Sequence, residues 1–158
     1  MRTWIRWLIV GLFSLVLVAQ AVPYGREHTN PPVGSEPAWN APETKTLVAR
    51  ACYDCHSNET VWPWYSNIAP VSWLIQRDVD EGRRKLNFSE WDRRQKEAHE
   101  SAKSVQKGSM PPWYYPWAKF SSAERQALVQ GLEVTLGTKE TSREHERGER
   151  RDREHERD

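Results

Sequence analysis

Two thiols, an imidazole and a thioether are the side chains of this chain with the most chemistry in them. Cys52 and Cys55 stand in Cys52-Tyr53-Asp54-Cys55-His56 and are the only cysteines among the 158 residues. Two thiols at this spacing reach the two vinyl groups on one edge of a porphyrin. The next histidine then comes beneath the iron, which is the pattern of c-type haem attachment. Met110 is the only methionine besides the initiator, and it lies in the irregular stretch Gly108-Ser109-Met110-Pro111-Pro112. A thioether on such a loop, far down the chain from the histidine, suits the opposite face of the iron. The expected set is one covalent haem c held by Cys52 and Cys55, with His56 as proximal and Met110 as distal ligand.

Other uses of the two cysteines fit less well. A thioredoxin-like site follows a strand in a βαβ setting, and the pattern shows none. A zinc site needs four ligands, yet no second cysteine pair exists and His56 directly abuts Cys55. A disulfide across two intervening residues closes a very small loop and adds little stability. For Met110 the competing role is core packing against an aromatic ring. His99, among charged neighbours, and His28, in a Pro-rich stretch, are weaker candidates for the sixth position.

The elements around these residues read as helices. Asn40 can cap a helix with Pro42 in its first turn and Glu43 three residues on. Leu47, Val48, Ala51 and Cys55 then share one face, so the cysteine motif closes that helix. A second helix is expected over about 71–84, with Leu74, Ile75 and Val79 inward. A third is expected from Ser89 to about Gln106, stopped by Gly108. A fourth follows the capping box Ser121-Ser122-Ala123-Glu124 and presents Ala127, Leu128, Leu132 and Leu136, with Gly137 as its stop. No stretch alternates as strands do. The fold class is all-α: a small helical domain around one haem, over residues 40–137.

The flanks differ in kind. Arg2 and Arg6 precede an apolar run from Trp7 to Ala19 that continues to Val22. Two readings stay open for residues 1–24. One is a signal peptide cleaved at Ala19-Gln20-Ala21. The other is a membrane anchor from Trp4 to Tyr24 with its arginines on the cytoplasmic side. Both export everything after residue 24, the anchor placing the haem domain in the periplasm on the inner membrane. Residues 25–39 form a Pro-rich tether, with a strap packed on the domain as the other reading. Residues 138–158 carry seven Lys/Arg and eight Asp/Glu, and Arg-Glu-His-Glu-Arg occurs at 143–147 and again at 153–157. Such a tail has nothing apolar to bury against its chain entropy, so a solvated tail is expected.

Bulk charge narrows the partners. A formal net charge of +1 gives no basic stripe for nucleic acid. Nine tryptophans are many for this length. Seven lie between Trp39 and Trp117, and they serve either to wall a flat cofactor or to fill a small core.

The motifs together resemble the bacterial haem-binding domain family. They are Tyr24-Gly25-Arg26, Asn30-Pro31-Pro32, Cys52 to His56 followed by Ser57-Asn58-Glu59-Thr60, Trp62-Pro63-Trp64-Tyr65 and Met110-Pro111-Pro112-Trp113. The resemblance covers roughly residues 23–137 and leaves the tail outside. It implies an exported, usually membrane-anchored protein with haem c on a cytochrome-c-like core, and it names no redox partner. Similarity to class I cytochromes c adds one role: a proline carbonyl that accepts from the proximal histidine's free ring nitrogen. Pro70 sits at a comparable place.

The expected activity is electron transfer by a monohaem c-type cytochrome, since two axial ligands leave iron no open site for substrate. A peroxidase needs an open position and an acid/base group above it. A haem-based sensor or assembly factor would use loss of a ligand as its signal. The two readings of the N-terminus predict different mature chains. Intact mass spectrometry of protein made in a bacterial host should find the N-terminal residues still present if the segment is retained. A mature start at Val22 would establish cleavage.

Overall fold

Five α-helices order the chain: α1 (Thr3–Ala19), α2 (Pro42–His56), α3 (Val71–Lys85), α4 (Ser101–Gln106) and α5 (Ser122–Leu136). These come from a computed structural model that describes residues 3–95, 97–115 and 118–138, and no strand occurs among them. The all-α expectation holds. The charged segment beyond residue 138 lies outside the described residues.

The membrane helix expected from Trp4 to Tyr24 does not form at that length. α1 stops at Ala19 after 17 residues, about 25 Å of helix against about 30 Å of bilayer hydrocarbon. No helix among the described residues is long and apolar enough to cross a membrane. Just past the end of α1, Gln20 turns its side chain onto another segment. Its amide nitrogen donates to the Ala69 carbonyl at 2.8 Å, and its amide oxygen accepts from the Ala69 N–H at 3.0 Å.

The Pro-rich segment that follows is extended, but it is a strap bonded to the domain along its length. Asn30 donates to the Thr60 carbonyl, Asn58 donates to the Pro32 carbonyl, and the Gly34 N–H meets the Ser89 carbonyl. Arg83 fixes the strap from α3, donating to the Thr29 carbonyl, Asn30 Oδ1, the Ser57 carbonyl and Thr60 Oγ1 at 2.8–2.9 Å. Prolines keep such a segment out of helix and sheet, so its polar groups pair with side chains and backbone of other segments.

Two helix starts differ from expectation. α2 begins at Pro42 with Ala41 ahead of it and no side-chain cap. Asn40 is drawn instead to α5, where its N–H and side-chain oxygen both pair with the Thr135 hydroxyl. The helix expected from Ser89 forms only from Ala98, first as a short 3-10 turn and then as α4. Local side chains hold residues 87–95 out of helix. Asn87 Oδ1 takes the Ser89 N–H, Gln95 takes the Asn87 N–H and donates to the Glu90 carbonyl, and the strap's Ser35 carbonyl takes the Trp91 N–H. Short polar side chains compete with a helix in this way. α5 starts as expected, with both bonds of its capping box present.

The core lies where α2, α4 and α5 meet, around Val48, Phe88, Val105, Leu128 and Leu132. Tryptophan serves this core from its edge. Phe88 is flanked by Trp39 and stacks on Trp91 at 6.1 Å. Of the α3 residues expected inward, Val79 is buried and Leu74 is exposed. Gly131 lets α5 lie against α2, because a Cβ there would fall 2.6 Å from Thr44 Cγ2 and 3.0 Å from its Cβ. Thr44 is buried and β-branched, so it cannot swing aside. Gly131→Ala should therefore destabilise the fold by about 1–3 kcal/mol, as overpacking does. Thermal melts should show that loss, and Thr44→Ala in the same chain should restore part of it.

Candidate functional site

α2 ends at His56 because Ser57 leaves the helical region at φ −146. Ser57 also closes the end of the helix, donating to the Tyr53 carbonyl at 2.8 Å and accepting from the Glu59 N–H. Cys52, Cys55 and His56 are thus set on the last turn of a regular helix. Desolvation in the crevice pushes both thiols up to about 12, the larger cause in each case, so they stay protonated near neutral pH. Both are free thiols.

The imidazole is held by the end of α3. His56 Nδ1 lies 3.1 Å from the Gly82 carbonyl and 3.1 Å from the Leu86 carbonyl. Carbonyl oxygens only accept, so Nδ1 carries the proton and the neutral ring has its lone pair on Nε2. Burial lowers the histidine's pKa, against the two carbonyl bonds that raise it. A neutral ring with a free Nε2 is what a metal ligand requires. The Gly82 carbonyl also accepts the Leu86 N–H at 2.9 Å, so the imidazole is its second donor.

Pro70, expected in this role, is elsewhere. It precedes α3, and its carbonyl accepts from the Trp73 and Leu74 N–H groups. The acceptors for His56 come from the opposite end of the same helix. The signal for them was a lone glycine inside the helical pattern Asp80-Glu81-Gly82-Arg83. Gly82 is where α3 crosses α2. A Cβ there would be driven into the Cys55 carbonyl, 2.8 Å from its carbon and 3.1 Å from the Cys55 Cβ.

Met110 meets the same place from the other side. A cavity of about 220 Å³ is lined by Cys52, His56 and Met110, together with Lys85, Leu86 and Phe88 from α3 and beyond, and by residues of α4. A second, of about 120 Å³, is lined by Cys55, His56, Gly82, Met110, Tyr114 and Tyr115. His56 and Met110 line both cavities, with Cys52 on the larger and Cys55 on the smaller, and the two together make up the cleft. The loop is set by the end of α4, where the Ser104 carbonyl accepts from the Ser109 and Met110 N–H groups at 3.0 and 3.2 Å. Ser101 Oγ is buried beside the larger cavity without a hydrogen-bond partner.

Among the described residues, the other two histidines lie apart from the cleft. His28 stacks on Trp62 at 4.6 Å and pairs with Ser66, while His99 faces Glu100 at 3.6 Å. No tryptophan among the described residues lines either cavity. The walls come from Leu86, Phe88, Val105 and Leu132 on one side and the two tyrosines on the other.

A family model described as a haem-binding domain matches residues 14–134. The chain belongs to that family. Comparison with the curated proteins and with solved structures gave no match. Haem binding is thereby established at the level of the family, and the residues of this cleft suit such a group. Two unpaired thiols, a neutral imidazole with Nε2 free, a thioether, apolar walls and an orphaned hydroxyl converge on it.

Gly82 links the crossing to the imidazole, so its replacement has a specific signature. Gly82→Ala should push α3 off Cys55, loosen both carbonyl contacts to His56 and lower haem content. A loss of about 1–3 kcal/mol in stability should accompany this. Haem absorbance per protein, measured beside the melting temperature, checks both parts.

Proposed function

We propose that the chain is a monohaem c-type cytochrome that carries single electrons outside the cytoplasm. One observation carries the reading: His56 and Met110 line both of two cavities, one of which also takes in Cys52 and the other Cys55. In it Cys52 and Cys55 form the thioether links, His56 is the proximal ligand through Nε2, and Met110 is the distal ligand. Bound haem supplies a one-electron couple at iron. The chain's part is to fix the imidazole, present the thioether and keep water from the cleft.

Each residue's role follows from its surroundings. The paired carbonyls on Nδ1 fix the ring plane and raise the basicity of Nε2. A thioether favours ferrous iron, so His/Met ligation sets a higher potential than two imidazoles would. Apolar walls disfavour the net charge that oxidation adds, which acts in the same direction. With both axial positions filled by protein, electron transfer is favoured over peroxidase chemistry or ligand sensing.

Export is inferred from Arg2 and Arg6 ahead of an apolar segment. The bonds from Gln20 to Ala69 support a retained N-terminal helix over cleavage at Ala21, since cleavage would remove Gln20 and leave those groups of Ala69 unpaired.

Haem-stained denaturing gels should show colour that stays with the wild-type chain and survives acid–solvent extraction. Cys55→Ala should leave at most one link and mature poorly. Met110→Ala should lose the weak methionine–sulfur absorption band, lower the potential and bind carbon monoxide at least about tenfold faster, equivalent to about 1.4 kcal/mol. A wild type that is already high-spin and binds carbon monoxide at once would displace this reading in favour of a sensor or peroxidase.

A further inference from the structure

The Met110 loop is tied down unequally on its two sides. Upstream, Ser104 holds the backbone of Ser109 and Met110. Downstream come Pro111 and Pro112, which have no N–H to donate. The next anchors are two phenols. A turn closed by the Tyr115 N–H on the Pro112 carbonyl at 2.9 Å sets them side by side. The Tyr114 hydroxyl donates to Asp78 Oδ2 at 2.9 Å, and the Tyr115 hydroxyl donates to Asp54 Oδ2.

The two acids are placed for this. Asp54 lies between the cysteines on α2, and its other oxygen, Oδ1, is engaged by the Val61 N–H at 2.9 Å. That bond leaves Oδ2 for the phenol. Asp78 lies on α3, one helical turn before Gly82. The loop is thus referred to the same two helices that hold His56 and its carbonyl partners. Tyr114 and Tyr115 also stand between the smaller cavity of the cleft and a neighbouring apolar groove of about 190 Å³. Freed, they would open one into the other.

We propose that the Asp54–Tyr115 and Asp78–Tyr114 pairs form a clasp that holds the Met110 loop closed over the cleft and sets how often the sixth ligand leaves its place. This rests on the reading of Met110 as that ligand. Asp54, Asp78, Tyr114 and Tyr115 are positioning residues in it. Hydrogen bonds to a carboxylate are stronger than those between neutral groups, and the loop's proline side offers no backbone donors as a substitute. Loss of one pair should therefore raise the open population of the loop without removing the ligand at rest.

Stopped-flow mixing of the matured, full-length ferrous protein with carbon monoxide tests this, because the gas binds only when the sixth position opens. Tyr114→Phe and Tyr115→Phe should each keep the methionine–sulfur band at rest and bind about tenfold faster than wild type. The double variant should bind about a hundredfold faster if the two pairs add. Asp54→Ala, which removes the acceptor for the phenol, should also bind about tenfold faster and serves if Tyr115→Phe matures poorly. Tyr24→Phe removes a tyrosine–carboxylate pair to Asp80 away from the cleft, and it should leave the rate unchanged. A Met110-ligated wild type whose double variant keeps the wild-type rate overturns the clasp alone. So does an equal acceleration by Tyr24→Phe, which would indicate general loosening. A wild type that binds the gas at once overturns the Met110 reading, and the clasp with it.

Discussion

The contact on which the site depends is the crossing of α2 and α3 at Cys55 and Gly82. Backbone meets backbone there, since no side chain fits between them. That approach brings the last carbonyls of α3 within 3.1 Å of His56 Nδ1. One missing methyl group thus settles the helix spacing, the tautomer of the imidazole and the direction of its free lone pair. A hydrogen bond to a side chain could be retuned by a rotamer change. One to a carbonyl at a packed helix end moves only if the helix moves.

Polar groups hold the periphery in place of a larger core. Arg83, one residue after Gly82, spans the strap, the end of α2 and the loop after it through four neutral acceptors. Asn58 and Asn87 are buried and pair with each other at 2.8 Å, while Asn58 also reaches the strap and Glu90. Buried polar groups cost free energy unless paired, and a network of this kind specifies one arrangement because few others satisfy it. The segment before Ala98 gives up helix to take part in it.

Local chemistry was legible in the sequence where it acts within a few residues. The capping box at Ser121, the closing of α2 by the cysteine motif and the start of α3 at Val71 are all short-range features, and each was read at its place. Partners far apart in sequence were not. Asn40 has the right side chain for a cap, yet Thr135 on α5 takes it. Pro70 occupied the expected place downstream of the motif, but which carbonyl meets His56 depends on how two helices cross. The sequence held only a lone glycine to mark that crossing. Leu74 fits an inward face by periodicity, and it is exposed because the groove beside it is open. The length of the apolar run was plain as well. What the sequence did not show is that Gln20, just past the end of that helix, would pair with Ala69, 49 residues away.

The two sides of the cleft are built from materials of different stiffness. On the histidine side the positioning groups are backbone carbonyls of a 15-residue helix packed on another. On the methionine side they are a short helix of 6 residues, a loop with two prolines and two phenols on carboxylates. Opening the first side requires separating α2 from α3, which pack on each other and are both tied to the strap. Opening the second requires only that two side-chain hydrogen bonds break, each worth about 1.5–3 kcal/mol in protein settings and less where water reaches it. Local openings draw on the least stable elements of a fold. If haem is held as proposed, exchange at the iron falls on the Met110 side, with the histidine left in place. Opening on the Met110 side would then cost only the two tyrosine–carboxylate pairs and leave the packing of α2 on α3 intact.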